Sequence, residues 1–307
     1  MKSFLQEVSL GLSKKNKKLS SKWFYDFHGS KLFEKITKLK EYYPTRTERK
    51  ILKDNKIEIA DKIGKNAVLI EPGAGDIKKI GIFLGSLDKP KKYIPLDISE
   101  DYINKISKGF KKKFPKVSIT PKGYDFSINN KLPFKINSSE NITIFFPGST
   151  IGNFEKKAAI KFLKMLKSKF KAKKIIIGAD LIKDIPTLIS AYDDKKGVTA
   201  EFNKNILQRI NNELGGDINL NFYKHLAIYN KKKERIEMRL KSKKNNNIKI
   251  NGSKYFIRKN EEIHTENSHK YTIKSFKNIA KEAGWKIKKT WVDDKKLFSI
   301  HFLDLAL

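Results

Sequence analysis

The stretch Ala67-Val68-Leu69-Ile70-Glu71-Pro72-Gly73-Ala74-Gly75-Asp76 decides the fold. A short apolar run breaks at a Gly-x-Gly turn and passes into residues 77–87, whose apolar spacing predicts a helix. In doubly wound α/β sheets a nucleoside-bearing ligand lies against the turn after the first strand, because glycine lets the backbone approach it. The dinucleotide fingerprint also needs a small residue at its third glycine position. Lys78 stands there, so a pyrophosphate is disfavoured. S-adenosylmethionine, which carries adenosine without a diphosphate, needs only the first tight turn.

Four further runs extend this reading: Tyr93–Asp97, Val117–Pro121, Ile142–Phe146 and Lys174–Asp180. Each reads as a buried strand. Helical spacing at Asp101–Phe114 and Lys156–Phe170 makes strand and helix alternate, as in a parallel sheet with helices on both faces. A helix at Ile273–Ala283 then precedes two alternating runs, Trp285–Val292 and Leu297–Leu305, joined by a turn at Asp293-Asp294-Lys295. The expected fold is therefore a Rossmann-like, class I methyltransferase sheet ending in a β-hairpin.

Residues 1–60 and 193–271 do not follow the alternation. The first segment is mostly helical, with a break at Gly29 and a stop at Tyr42-Tyr43-Pro44. The second mixes a helix at Thr199–Leu214 with strand-like runs at Asn221–Tyr229 and Arg235–Lys241, and Ser242–Asn247 reads as a polar hairpin tip. These segments are expected to form a smaller α+β substrate domain. The cofactor-binding core is expected to span 61–192 and 272–307.

Candidate ligand residues sit where strands end. Asp97 follows Gly73 by 24 residues, the spacing at which a carboxylate accepts both ribose hydroxyls. Gly123-Tyr124-Asp125-Phe126 follows the third strand, where Asp125 could bond the adenine amine and Phe126 cover its ring. Each also has a plainer reading: Asp97 as a helix cap, Asp125 as a turn residue. Their joint placement is what favours a nucleoside site.

Composition narrows the alternatives. The formal net charge of +34 suggests nucleic acid. Lysine, however, outnumbers arginine about ten to one and is scattered in pairs and triplets, such as Lys111–Lys113 and Lys231–Lys233. That distribution reads as solvated surface, and a basic RNA-binding protein remains the minor alternative. The absence of cysteine excludes disulfides and thiolate metal sites and agrees with a reducing, cytoplasmic setting. No apolar run reaches the roughly 18 to 20 residues that cross a bilayer. The five histidines are dispersed, so no metal is expected. A monomer is expected.

Longer strings carry a resemblance. They are Trp23-Phe24-Tyr25-Asp26, Glu41-Tyr42-Tyr43-Pro44-Thr45-Arg46-Thr47-Glu48, Phe146-Pro147-Gly148-Ser149-Thr150-Ile151-Gly152-Asn153, Tyr192-Asp193-Asp194 with Gly197-Val198-Thr199-Ala200, Arg235-Ile236-Glu237-Met238, and Thr265-Glu266-Asn267-Ser268-His269-Lys270-Tyr271. Nearly end to end, the sequence resembles the histidine Nα-methyltransferases of ergothioneine biosynthesis, which convert histidine to its trimethylammonium betaine, hercynine. Pro72 and Asp76 depart from that pattern. The resemblance implies that Gly73, Lys79, Asp97, Asp125 and Phe126 contact S-adenosylmethionine, with Gly75 completing the turn. It implies that Asn153 and Tyr192 hold the carboxylate of free L-histidine or a related amino acid, and that Tyr25 and Tyr42 line the amine side. Tyr43 is an alternative to Tyr42, and the proton acceptor is either a tyrosine or water.

Histidine selectivity is assigned to Glu266 and Ser268. An imidazole presents one donor and one acceptor, which a carboxylate and a hydroxyl can match. Their spacing puts both on one face if residues 263–268 are extended. The plainer reading is that this segment introduces the next helix. Met238 is expected to pack against the ring and limit its size, although a strand methionine is also ordinary core.

Overall fold

The computed structural model describes residues 3–75, 77–126 and 131–306; Asp76 of the glycine turn lies outside them. In chain order the first helices are α1 (Phe4–Leu12), α2 (Phe27–Ile36), α3 (Tyr43–Asp54) and α4 (Lys56–Ile63). Then come β1 (Ala67–Pro72), α5 (Gly81–Leu84), β2 (Lys92–Asp97), α6 (Glu100–Lys113), β3 (Ser118–Ile119), β4 (Lys122–Gly123), β5 (Asn141–Phe146), α7 (Lys156–Ser168) and β6 (Lys174–Asp180). After α8 (Ile185–Ser190) and α9 (Val198–Leu214) follow β7 (Tyr223–Asn230), β8 (Arg235–Ser242), β9 (Asn246–Ile250), β10 (Ser253–Ile257) and β11 (Glu262–His269). The chain closes with α10 (Ile273–Glu282), β12 (Trp285–Val292) and β13 (Phe298–Leu305).

Two compact units emerge, residues 1–43 with 183–268 and residues 44–182 with 269–307. The boundaries expected from sequence are 60/61, 192/193 and 271/272. The larger unit also takes α4 and most of α3, whose Ile51, Leu52, Ile59 and Ile63 pack with Leu69 and Phe145 of the sheet.

The sheet of the larger unit runs β12-β13-β6-β5-β1-β2-β3, with β4 also on β2. From β6 to β3 the pairing is parallel, whereas β13 is antiparallel to both β6 and β12. The last strand is thus inserted between β6 and its hairpin partner. Every residue of β1 is buried. Val68 and Ile70 pack on one face with Ile144, Leu163 and Phe276, while Ala67 and Leu69 pack on the other with Ile59, Phe83 and Ile103. A strand covered on both sides needs a continuous apolar run, which is how β1, β5 and β6 read. Helix ends follow local chemistry: Glu100 and Asp101 begin α6 and Lys111–Lys113 end it, matching the helix dipole. Thr272 and Ser275 form a capping box at α10.

Several expectations are corrected. Only Gly81–Leu84 of the helix expected over 77–87 is helical. Gly81 and Gly85 weaken the helix, and a Cβ at Gly81 would come within 3.0 Å of the Phe110 ring. The third strand is split into β3 and β4, both on β2. Tyr42-Tyr43-Pro44 does not stop a helix but opens α3, because proline suits a first turn whose N–H needs no partner. Ser242–Asn247 is not a hairpin tip. Asn246 starts β9, which pairs with β10, and the hairpin turns at Asn251 and Gly252, both with positive φ.

In the smaller unit a three-stranded sheet, β11-β8-β7, accompanies the β9–β10 hairpin and helices α1, α2, α8 and α9. Gly29 lies inside α2, not at a break. A Cβ there would stand 1.8 Å from the Phe24 carbonyl oxygen, so only glycine allows this approach.

Candidate functional site

In the larger unit, β1 ends in a turn closed by two bonds. The Ala74 N–H donates to Leu96 O at 2.9 Å and the Gly75 N–H to Gly73 O at 2.8 Å. Gly73 has φ of +72°, and a Cβ on it would lie 3.1 Å from the Phe126 ring. At Gly75 a Cβ would meet nothing within 4 Å, so Gly73 is the glycine that this geometry requires. Phe126 in turn packs edge-on to Phe146, with ring centroids 5.9 Å apart, and lies 5.6 Å from Phe162. The backbone turn and an aromatic face thus stand together, with half-buried Asp125 beside Phe126.

Asp97 ends β2. Its Oδ1 accepts the Ser99 N–H at 2.9 Å, and its carbonyl accepts the Tyr124 N–H at 2.8 Å, tying the strand end to residues 123–126. Burial pushes the Asp97 carboxyl up to about 6, against the opposing hydrogen bonds from Ser99 and Ile98 N–H. A desolvated carboxylate at a strand end is suited to hydroxyl donors, and the ribose of an adenosine supplies two. Gly73, Asp97 and Phe126 therefore fit the cofactor that the sequence suggests.

Lys79 is buried, with Nζ 2.7 Å from Glu48 Oε2. Glu48, on α3 and 1% exposed, also accepts the Gly148 N–H at 2.8 and 3.0 Å. A Cβ at Gly178 would lie 2.2 Å from Glu48 Oε1, so that glycine leaves room for the carboxylate. Sequence reasoning missed Glu48. It closes the Glu41–Glu48 string, but an acid on an amphipathic helix reads as surface. Asn153 is half-buried and ends the 3-10 turn Thr150–Asn153 after β5. At the head of that turn Ser149, with φ of +55°, accepts the Asp180 N–H on its Oγ at 2.9 Å. The Asp180 carboxylate pairs with fully buried Lys270 at 2.7 Å.

The smaller unit brings together most of the expected substrate residues. Tyr25 contacts Phe33 edge-on at 5.7 Å, Phe33 contacts Tyr42 at 6.1 Å, and Tyr42 contacts Tyr192 at 6.3 Å. Phe33 and Phe202, which also touches Tyr25 at 5.4 Å, complete this aromatic row and were not singled out from sequence. Tyr43 has another role: its hydroxyl accepts from Lys183 Nζ at 2.6 Å, and that ammonium lies 4.3 Å from the Tyr43 ring centroid.

Tyr192 is buried, and its hydroxyl and Ser268 Oγ share a hydrogen bond of 2.7 Å. β11 is extended through Glu262–His269, so Glu266 and Ser268 project on the same side, and both are buried. The helix-introducing reading of this segment does not hold, since Thr272 caps α10. Met238 is 1% exposed and alternates with Ile236 and Leu240, across β8 from Arg235, Glu237 and Arg239. Its carbonyl accepts the hydroxyl of Thr265, the residue before Glu266, at 3.0 Å. Burial opposes ionisation of Glu237, yet hydrogen bonds from Arg239, Arg235 and Asn230 hold its carboxyl down at about 2.

A parallel sheet whose last strand is inserted antiparallel beside β6, with a glycine turn, an acidic strand end and an aromatic face at its carboxyl edge, defines a class I S-adenosylmethionine-dependent methyltransferase. The model of the family described as "Histidine-specific methyltransferase, SAM-dependent" matches residues 4–305. The chain belongs to that family. It is 33% identical over 295 residues to a histidine N-alpha-methyltransferase of Mycolicibacterium smegmatis, covering 94% of this chain and 90% of that one. Identity to the enzyme of the same description from Mycobacterium tuberculosis is 32% over 302 residues, covering 96% and 92%. Ergothioneine biosynthesis protein 1 of Neurospora crassa is 35% identical over 197 residues, 62% of this chain and 22% of that protein. Family membership supports the methyltransferase reading of the chain. No helix among the described residues is long and apolar enough to cross a membrane.

Proposed function

We propose that this enzyme methylates the α-amino nitrogen of free L-histidine three times, yielding hercynine. The observation that carries the substrate is the buried Tyr192–Ser268 hydrogen bond with Glu266 two residues from Ser268 on the same strand. An acceptor and a reversible hydroxyl side by side match the two ring nitrogens of imidazole. Tyr192 is assigned to the carboxylate, and Tyr25 and Tyr42 to the amine side. Between Tyr42 and Tyr43 the geometry favours Tyr42, whose ring meets Tyr192, whereas the Tyr43 hydroxyl is engaged by Lys183.

S-adenosylmethionine supplies an electrophilic methyl group on a sulfonium. Asp97 is assigned to its ribose, Gly73 to its close approach to backbone, and Phe126 and Asp125 to its adenine. The enzyme's task is then mainly alignment, since the donor is already activated. The amine must present its lone pair at each transfer, so histidine and its mono- and dimethyl products each give up a proton first. Aromatic and hydroxyl groups tolerate the growing cationic head, which a lysine or arginine would repel.

The test is substrate competition. Glu266→Ala should lower kcat/KM for histidine by about 2 kcal/mol, or some 30-fold, while cofactor affinity stays unchanged. Unaltered preference for histidine over tryptophan, tyrosine and phenylalanine in that variant would place selectivity elsewhere.

A further inference from the structure

Behind Tyr192 and β11 lies a second row of buried polar groups. His225, on β7, places Nε2 at 2.8 Å from the Tyr192 carbonyl oxygen and Nδ1 at 2.7 Å from Asn203 Nδ2. Asn203, on α9 and fully buried, also donates from Nδ2 to Arg239 O at 3.1 Å. Its Oδ1 accepts from Thr265 Oγ1 at 2.7 Å, and that hydroxyl also lies 3.0 Å from Met238 O. The direction of each bond is fixed by chemistry. A carbonyl can only accept, so His225 Nε2 carries the proton. Nδ1 then holds a lone pair and accepts from the asparagine amide, whose oxygen is left for the threonine hydroxyl. Burial also lowers the His225 pKa, which favours the neutral ring this pattern needs.

We propose that His225, Asn203 and Thr265 are positioning residues for substrate recognition, a polar relay that sets Tyr192 and the Thr265–Ser268 part of β11 relative to each other. The inference rests on the histidine reading of Tyr192, Glu266 and Ser268. One end of the relay holds the backbone of Tyr192. The other holds Thr265, next to Glu266 and three residues before Ser268. The 2.7 Å bond between Tyr192 and Ser268 closes the loop. None of the three relay side chains needs to touch substrate. Each acts on a residue that does, so losing the relay should loosen the geometry with which the amino acid is held and leave the larger unit's cofactor residues unaffected.

Two measurements test this on the full chain. Steady-state kinetics compare Thr265→Val, which keeps the shape and loses the hydroxyl, with Thr265→Ser, which restores it, and with Asn203→Asp, whose carboxylate cannot donate to Nδ1. The expected result is a KM for histidine raised about tenfold in Thr265→Val and Asn203→Asp, S-adenosylmethionine affinity by calorimetry unchanged, and recovery in Thr265→Ser. An unchanged KM in folded Thr265→Val, or an equal loss in Thr265→Ser, would overturn the proposal. Nitrogen-15 NMR of the wild-type protein supplies a readout independent of substrate: His225 should show a protonated Nε2 and a bare Nδ1. The opposite tautomer, or a charged ring at neutral pH, would break the relay even if histidine is the substrate. A wild-type protein that shows the expected tautomer but does not methylate histidine would instead refute the functional reading.

Discussion

Replacing Asp97 by asparagine should make the free protein more stable and the cofactor bind more weakly. The carboxyl ends β2 and accepts from the Ser99 and Ile98 N–H groups, and burial nevertheless raises it from 3.8 to about 6. That difference corresponds to about 3 kcal/mol for holding the charge above pH 7, and partial exposure to solvent reduces it to about 1–2 kcal/mol. Because the folded state binds this proton more tightly than the unfolded chain, the contribution to stability is present below about pH 4. It is lost as pH rises through about 6. An asparagine side chain would keep the shape without the charge. In urea unfolding, Asp97→Asn should gain about 1–2 kcal/mol at pH 7.5 and nothing near pH 4. Calorimetry at pH 7.5 should show S-adenosylmethionine affinity reduced by about 2–3 kcal/mol, the scale of two lost charged hydrogen bonds. Wild-type affinity should itself weaken as pH falls below about 6. A variant with unchanged stability and unchanged affinity would refute the reasoning, since Asp97 would then be neither desolvated nor in contact with ribose.

Two further outcomes concern buried charge. Glu48→Ala leaves the Lys79 ammonium and the Gly148 N–H without their carboxylate and should cost about 3–5 kcal/mol in urea unfolding, whereas a loss below about 1 kcal/mol would contradict the buried pair. Burial lowers His264 to about 4 and His301 to about 3, so stability should rise with pH from about 4 to about 6.5, by up to about 1.4 kcal/mol per pH unit for each histidine. Asp97 opposes only one of these slopes, and a flat or falling midpoint over that range would show that the histidines are not held neutral.

Much of the fold was legible because parallel strands buried on both faces must be continuously apolar, and β1, β5 and β6 are. The terminal hairpin was legible from period-two alternation at Trp285–Val292 and Leu297–Leu305. What escaped depended on partners distant in sequence. Nothing local distinguishes Glu48 from a surface acid, because its meaning comes from Lys79, Gly148 and Gly178. Asn203 and His225 read as helix and strand polar residues, yet 22 positions separate the two atoms that bond. Pro44 misled because proline can both end one helix and begin the next. Among candidate site residues, Tyr192 was singled out by its string, and Ser268 by its chemistry and its spacing from Glu266. Their hydrogen bond spans 76 positions, and no periodicity encodes it.

The most direct test of the central claim is mass spectrometry of the purified protein incubated with S-adenosylmethionine and an equimolar mixture of the common amino acids. Histidine should be consumed and appear with one, two and finally three added methyl groups, all on the α-nitrogen, while the other amino acids remain unmodified. Methylation of a different amino acid in preference to histidine, or transfer to an imidazole nitrogen, would contradict the account.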